Sequence, residues 1–352
     1  MFYFLFFFQK LTHYVVDDTP PATVNAPPVT ILICAHNESQ NLKRNLPRIL
    51  NQTYRSHQVL VINHNSDDDS EKILRYLQQK FSHLDFINFS NNKKMQVGKK
   101  HALAFGIEKA RHEVLLLTDA DCYPISKFWL ANMSRSIDDK FEIGLGYGPY
   151  EKRASFLNKC IRFETILAAT QYLSYAIKGI PYMGVGRNLI YKKRLYHITN
   201  GFKKHENIAS GDDDLFVNAV ANAQNTRIIL SKDAFVYSSP KHTWLAWYRQ
   251  KTRHLSTSTH YKPIHQALLG GYSASHFMHY FLGIYSAIQG YWVLAICFYF
   301  LRTMIMLFVF RGILKKLDDA ILLKWIPLLD AAFVLYYVVF APTLIFGSRK
   351  RW

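Results

Sequence analysis

Between Val29 and Leu117 the chain alternates short apolar runs with stretches whose apolar residues recur at helical spacing. The runs are VTILIC (Val29–Cys34), QVLVIN (Gln58–Asn63), DFINF (Asp85–Phe89) and the EVLLL that begins at Glu113. Between them, Leu42, Leu46, Ile49 and Leu50 share one helix face, as do Ile73, Leu74, Leu77 and Phe81, and a third helix is expected over Gly98–Arg111. Strands separated by helices pair in parallel, because a parallel neighbour is reached only by a crossover. The expected fold class is therefore α/β, a mostly parallel, Rossmann-like sheet flanked by helices on both faces.

That class also says where ligands sit. In open α/β sheets they bind outside the carboxyl ends of the strands. Three polar stretches leave those ends: AHNES (Ala35–Ser39), NHNSDDD (Asn63–Asp69), and the D-A-D of Asp119 and Asp121 after the fourth strand. All three are expected to line one crevice. Two carboxylates at i and i+2 suit a hard ion such as Mg²⁺ or Mn²⁺, which takes oxygen ligands and shares them with phosphates. The same pair equally suits a loop whose aspartate caps the next helix.

Past residue 150 the alternation fades, and helices are expected over Ser155–Ile177 and from His242 to about Tyr261. SGDDDLF holds Asp212, Asp213 and Asp214 side by side. Mutual repulsion lifts such acids toward general-base duty, and acids also suit the N-terminus of the helix that Leu215 opens; both readings can hold at once. In WYRQKTRH, Gln250, Arg253 and His254 fall at i, i+3 and i+4 on one helix face. An arginine there can grip a diphosphate or meet lipid headgroups. VGKKHAL starts a helix with a glycine and two lysines but lacks the P-loop pattern, and YMGVGRNL adds close-approach glycines beside Arg187 and Asn188.

The 352 residues carry a net charge of +18, with 49% hydrophobic and 19% charged residues, so the chain is not globally disordered. The positive balance fits an anionic partner or a positive-inside bias around membrane segments. Its basic residues are scattered and no RNA-binding or zinc-finger spacing occurs, so no nucleic-acid partner is expected. The cysteines, Cys34, Cys122, Cys160 and Cys297, form no metal-type spacing and read as thiols of a reducing compartment.

Phe277–Leu301 has no Asp, Glu, Lys or Arg, and Ile326–Phe346 has Asp330 alone; each is long enough to cross a bilayer. The chain thus divides, by sequence, into a short apolar start and Pro-rich linker (1–28), an α/β domain (29–262), and a membrane region (263–352) with about two spans, 277–301 and 326–346. The start, MFYFLFFF, is too short to span alone and lacks the basic region and cleavage site of a signal peptide. A multi-pass protein of the cell membrane with its α/β domain in the cytosol is expected. With two spans, however, Arg311, Lys315, Lys316 and Lys324 fall outside, against the positive-inside bias. A surface helix or re-entrant segment near Arg302–Lys316 would remove the conflict.

Taken in order, ILICAHNE, VINHNSDDD, GKKHALAFGI, LLLTDADC, GVGRNL, SGDDDLF and QKTRH resemble the inverting family 2 glycosyltransferases of the GT-A fold, over roughly Val29–Tyr261. The resemblance is greatest to membrane-bound members, which carry a Q-x-x-R-W element before their transmembrane helices. It implies a nucleotide-sugar donor, held by Ala35, Asn37, Glu38, His64, Asn65 and Lys99 together with Asp119, Gln250 and Arg253. It implies Mg²⁺ or Mn²⁺ on Asp119 and Asp121, and Asp213 as the base, with Asp212 and Asp214 as alternatives. It places Gly186, Arg187, Asn188 and His254 toward a lipid-linked or glycan acceptor. Asn63 and His64 stand where the family often has an aspartate pair, which leaves the base of the donor open, and His254 replaces the family's tryptophan.

Overall fold

A computed structural model describes residues 1–17, 26–89, 98–208 and 210–346. The greater part of the Pro-rich linker and the C-terminal SRKRW lie outside the described residues. The described chain divides into two compact units, one made of residues 16–151 and 179–240, the other of residues 1–15, 152–178 and 241–346. The domain expected at 29–262 does not form one unit: by packing, the helices at 156–177 and 244–255 group with the C-terminal helices.

Along the chain, a π-helical turn (Tyr3–Phe8) runs into α1 (Gln9–His13), and then come β1 (Val29–Ala35), α2 (Ser39–Leu50), β2 (His57–His64), α3 (Ser70–Lys80), β3 (Leu84–Phe89), α4 (Lys99–Lys109) and β4 (Val114–Asp119). Next are β5 (Cys122–Pro124), α5 (Trp129–Ser134), β6 (Ile143–Leu145), α6 (Phe156–Ile177), β7 (Leu189–Lys192), α7 (Arg194–Ile198), α8 (Asp214–Val220), β8 (Thr226–Ile228) and β9 (Val236–Ser238). The chain ends in α9 (Trp244–Leu255), α10 (Pro263–Ile288), α11 (Trp292–Lys316) and α12 (Ile326–Phe346).

In the first unit the sheet order is β3-β2-β1-β4-β7-β6-β8, with a separate β5-β9 pair. β1 pairs in parallel with β2 and β4, and β2 with β3. β7 joins β4 antiparallel, so the sheet is mixed beyond its parallel half. β1 and β2 are near-continuously buried, as strands covered on both faces must be, and their apolar runs carry the core. One helix packs unusually close: a Cβ on Gly106 of α4 would lie 2.7 Å from Leu32 Cδ1 and 2.8 Å from Ile62 Cγ1. The missing side chain lets α4 settle on β1 and β2, which fixes the position of its N-terminal lysines.

In the second unit, the expected span 277–301 is divided. Gly290, at φ +86, sits between the end of α10 and the start of α11, and Tyr291 N–H donates to Ser286 O at 2.9 Å, so the backbone turns there. Among the described residues, Trp292–Lys316 and Ala320–Pro342 are long and apolar enough to cross a membrane.

Candidate functional site

The three polar stretches do meet. Cα register sets Ala35 beside Asn63 and Cys34 beside Asp119, so β1, β2 and β4 end together. Past β1 and β2 the chain passes through a left-handed residue, Asn37 (φ 55) and Asn65 (φ 45). Asparagine tolerates that conformation better than most side chains, so both residues serve the turn as well as any ligand. The turns are also stitched to each other. Asn37 N–H donates to Ser66 Oγ (2.9 Å), Asp67 N–H to Asn37 Oδ1 (2.8 Å), Glu38 N–H to Ser70 Oγ (3.1 Å) and Ser39 N–H to Asp68 Oδ2 (2.9 Å). Burial pushes the Asp68 carboxyl up, but bonds from Ser70 and Ser39 outweigh it and hold the pKa down at about 2.

His64 is buried at the end of β2, with its carbonyl 2.8 Å from His36 Nδ1 and its Nε2 3.3 Å from Asn65 Nδ2. Burial, then the His36 and His101 rings, lower its pKa, so the ring is neutral at pH 7. Asn63 Nδ2 donates to Asn88 Oδ1 of β3 at 2.8 Å. The end of β2 is thus lined by neutral polar groups.

Lys99, the first residue of α4, joins the two acidic stretches. Its ammonium lies 2.6 Å from Asp119 Oδ1 and 3.7 Å from Asp212 Oδ2. Burial opposes its charge, but Asp119 and Asp212 outweigh burial and push its pKa well above the ordinary lysine value. Residues 93 positions apart in sequence, from Asp119 to Asp212, therefore share one cation. The next residue, Lys100, was not singled out from the sequence. Buried, it donates to the carbonyls of His205 (2.6 Å) and Ile208 (2.8 Å), anchoring the loop that leads into the acidic triplet. The Lys-Lys doublet was the only signal, and it does not say which lysine meets carboxylates and which meets carbonyls.

Within the triplet, Asp213 caps α8. Its Oδ1 accepts from Asp214 N–H (2.8 Å) and its Oδ2 from Gly186 N–H (2.6 Å). A Cβ on Gly186 would come within 3.0 Å of that Oδ2, so the glycine admits the carboxylate. Burial first, then Asp212 and Asp214, raise the Asp213 pKa to about 7, against the lowering pull of Lys99 and the Gly186 amide. Asp214 is buried and its Oδ1 accepts from Leu215 N–H at 2.7 Å. The capping and general-base readings of the triplet are thus compatible in one residue.

Asp119, Asp121 and Cys122 offer ligand atoms all within 4.8 Å of one another. The Cys122 thiol donates to Asp121 Oδ1 at 3.2 Å, and burial, then Asp121 and Asp119, push its pKa well above the ordinary thiol value. A soft sulfur also suits a hard divalent ion poorly. The remaining donor set, two carboxylates, fits a hard divalent ion that takes further oxygens from phosphate and water.

Arg187 lies with its guanidinium 4.6 Å from the centre of the Tyr150 ring, at the same turn as Gly186. Asn188, expected toward the acceptor, is fully buried and internally saturated. It accepts from Trp129 Nε1 (3.0 Å) and donates to the carbonyls of Tyr147 (2.9 Å) and Ala234 (2.8 Å), which makes it a structural tie. Ala35 is a buried residue at the end of β1, presenting backbone only. Gln250, Arg253 and His254 lie on α9 of the second unit; His254 is exposed there, and the neighbouring Lys251 is buried in an ion pair with Glu164.

Comparison with known proteins agrees with this arrangement. Residues 30–194 match the sequence model of glycosyl transferase family 2. The probable glycosyltransferase YdaM of Bacillus subtilis is 24% identical over 239 residues, 64% of this chain and 54% of the relative. The poly-beta-1,6-N-acetyl-D-glucosamine synthase of Staphylococcus aureus is 25% identical over 117 residues, 33% of this chain and 27% of the relative. The chain thus spans about half the length of the first relative and about a quarter of the second. A mannosyltransferase from Pyrobaculum calidifontis, solved in complex with GDP-Man and Mn²⁺, shares the fold, with a TM-score of 0.61 over 97% of this chain and 93% of its own at 18% identity. With its mixed sheet and its strand-end acids, the chain has the GT-A fold, and its residues 30–194 match glycosyl transferase family 2.

Proposed function

We propose that the chain moves a sugar from a nucleotide-sugar donor to an acceptor hydroxyl, in one displacement that inverts the anomeric centre. The observation that carries this reading is Lys99, which draws the D-A-D and the acidic triplet to one place at the strand ends. Asp119 and Asp121 would hold Mg²⁺ or Mn²⁺, which when bound offsets the negative charge of the leaving diphosphate. Asp213 takes the acceptor's hydroxyl proton. The freed oxygen attacks the anomeric carbon, and the carbon–oxygen bond to the diphosphate breaks with its electron pair, releasing a nucleoside diphosphate. An attack opposite the leaving group gives inversion. The Asp213 pKa near 7 suits a base at neutral pH, where ionised carboxylate and proton affinity are both available.

The apolar C-terminal helices support a membrane-bound enzyme with a lipid-linked or membrane-proximal glycan acceptor, facing the cytosol where nucleotide sugars are made. The test is turnover of a nucleotide-sugar panel by detergent-purified protein with Mn²⁺, Mg²⁺ or EDTA, and with membrane lipid extract as acceptor. Metal-dependent release of nucleoside diphosphate is expected from one donor. Silence across the panel, with no metal-dependent donor binding, would leave a non-catalytic membrane scaffold on a transferase fold.

Gly186 gives a sharper check. In Gly186→Ala the new Cβ would press on Asp213 Oδ2 at 3.0 Å and on Asp213 Cβ at 3.2 Å. Because small displacements of a reacting group cost up to about a hundredfold, turnover is expected to fall roughly ten- to a hundredfold. Donor affinity, measured by titration calorimetry, is expected to hold, since the alanine touches the base and not Asp119 or Asp121.

A further inference from the structure

The second unit holds a helical pair that hydropathy alone does not single out. α10 runs for 26 residues and α11 for 25, joined by Gln289–Tyr291 and packed against each other, with His279 stacked on Tyr299 and Tyr280 edge-on to the same ring. At about 1.5 Å per residue each helix is about 37–39 Å long, more than the ~30 Å of bilayer hydrocarbon. No Asp, Glu, Lys or Arg occurs from Pro263 to Leu301. Toward the turn the pair is apolar on all sides: Ile284, Ile288, Trp292, Phe300 and Met304 are all exposed. A helix pair that is apolar all round, with no polar outer face, is built for lipid rather than for one protein partner.

α10 is less apolar than α11 because of its histidines, yet one of these is turned inward. His276 is buried, with Nε2 3.3 Å from Asp330 Oδ1 and Nδ1 3.2 Å from the Tyr337 hydroxyl. Arg302 of α11 donates to both Asp330 oxygens (2.5 and 3.1 Å), and the Tyr280 hydroxyl donates to Oδ2 at 2.8 Å. Arg302 and Asp330 therefore neutralise each other inside the bundle, as charges within a membrane must.

Both legs of the pair are tied to one helix at their outer ends. α9, just before α10, is held by the Lys251–Glu164 ion pair to α6. The segment just after α11 is held by the Arg162–Asp319 ion pair to α6, two residues away from Glu164, and by Lys316 Nζ on the Tyr14 carbonyl (2.7 Å). We propose that α10 and α11 cross an anionic lipid bilayer as one antiparallel hairpin, with Gln289–Tyr291 on the far face and both Lys262 and residues 311–324 on the near face. The inference rests on the membrane-bound reading above. It brings Arg311, Lys315, Lys316 and Lys324 to the side of Lys262, in accord with the positive-inside bias that spans at 277–301 and 326–346 violate.

Single cysteines test it in the full-length protein, in a Cys160→Ser/Cys297→Ser background whose parent gives the blank. Thr259→Cys, Gln289→Cys and Ala320→Cys each replace an exposed residue. A membrane-impermeant maleimide is applied to inside-out and right-side-out vesicles after a carbonate wash. Thr259→Cys and Ala320→Cys are expected to label from one face and Gln289→Cys from the other. Labelling of Ala320→Cys from the face opposite Thr259→Cys overturns the hairpin. So does Gln289→Cys labelling from the same face as Thr259→Cys, or from neither. Loss of the protein in the carbonate wash would instead sink the membrane-bound reading itself, so the two failures are distinguishable.

Discussion

Asp213→Asn is expected to lower turnover by about 10²–10⁴, the range that a positioned general base contributes. The amide has nearly the carboxylate's shape but cannot take the acceptor proton. It can accept only through its oxygen, so one of the Gly186 and Asp214 amide bonds is lost, at a cost of about 1 kcal/mol in stability. Donor affinity should be unchanged, because the loss falls on the chemical step. The wild-type pH profile carries the matching signature. Burial and the neighbouring acids raise Asp213 to about 7, and the base works only when ionised, so kcat should fall as pH drops through about 7. That limb should vanish from the residual activity of Asp213→Asn. Retention of wild-type turnover in this variant would remove Asp213 from the base role and pass it to Asp212 or Asp214.

Asp121→Ala is expected to fail in a different way. Asp119 already has Lys99 at 2.6 Å, and the Cys122 thiol is protonated, so Asp121 is the acid whose removal leaves no hard oxygen pair. Turnover should drop by about 10²–10³, comparable to the loss of a preorganised charge stabiliser. Here, unlike in Asp213→Asn, Mn²⁺-dependent donor binding should disappear as well. Titration calorimetry with and without EDTA reads this directly. Equal donor binding by wild type and Asp121→Ala in Mn²⁺ would place the metal elsewhere or remove it.

Much of this was legible before the structure because parallel-sheet strands leave a strong mark. β1, β2 and β4 are buried on both faces, so their sequences are apolar almost without interruption, and the polar residues that end them stand out. The mixed half of the sheet was not legible, since β6 and β8 have 3 residues each and no period can show in so short a run. Asn188 misled because a glycine-flanked polar pair looks like a binding turn, and only the structure shows its amide spent on Trp129, Tyr147 and Ala234. The α10–α11 break was hidden for a related reason. An uncharged run of residues shows that lipid is near but not where the backbone turns, and a single glycine decided that.

The closeness of α4 to the sheet has a consequence for how this protein tolerates change. Gly106 lies seven residues, about two helical turns, after Lys99 on the same helix. Any side chain there meets Leu32 and Ile62, and the clash is relieved by repacking these core side chains or by lifting the helix off β1 and β2. A lifted α4 carries Lys99 and Lys100 with it, and with them the cation between Asp119 and Asp212 and the anchor of the loop before the triplet. The spacing of a hydrophobic layer thus sets the electrostatics of the crevice. A library that freezes every acid and lysine of the site but varies the core should still lose function at position 106.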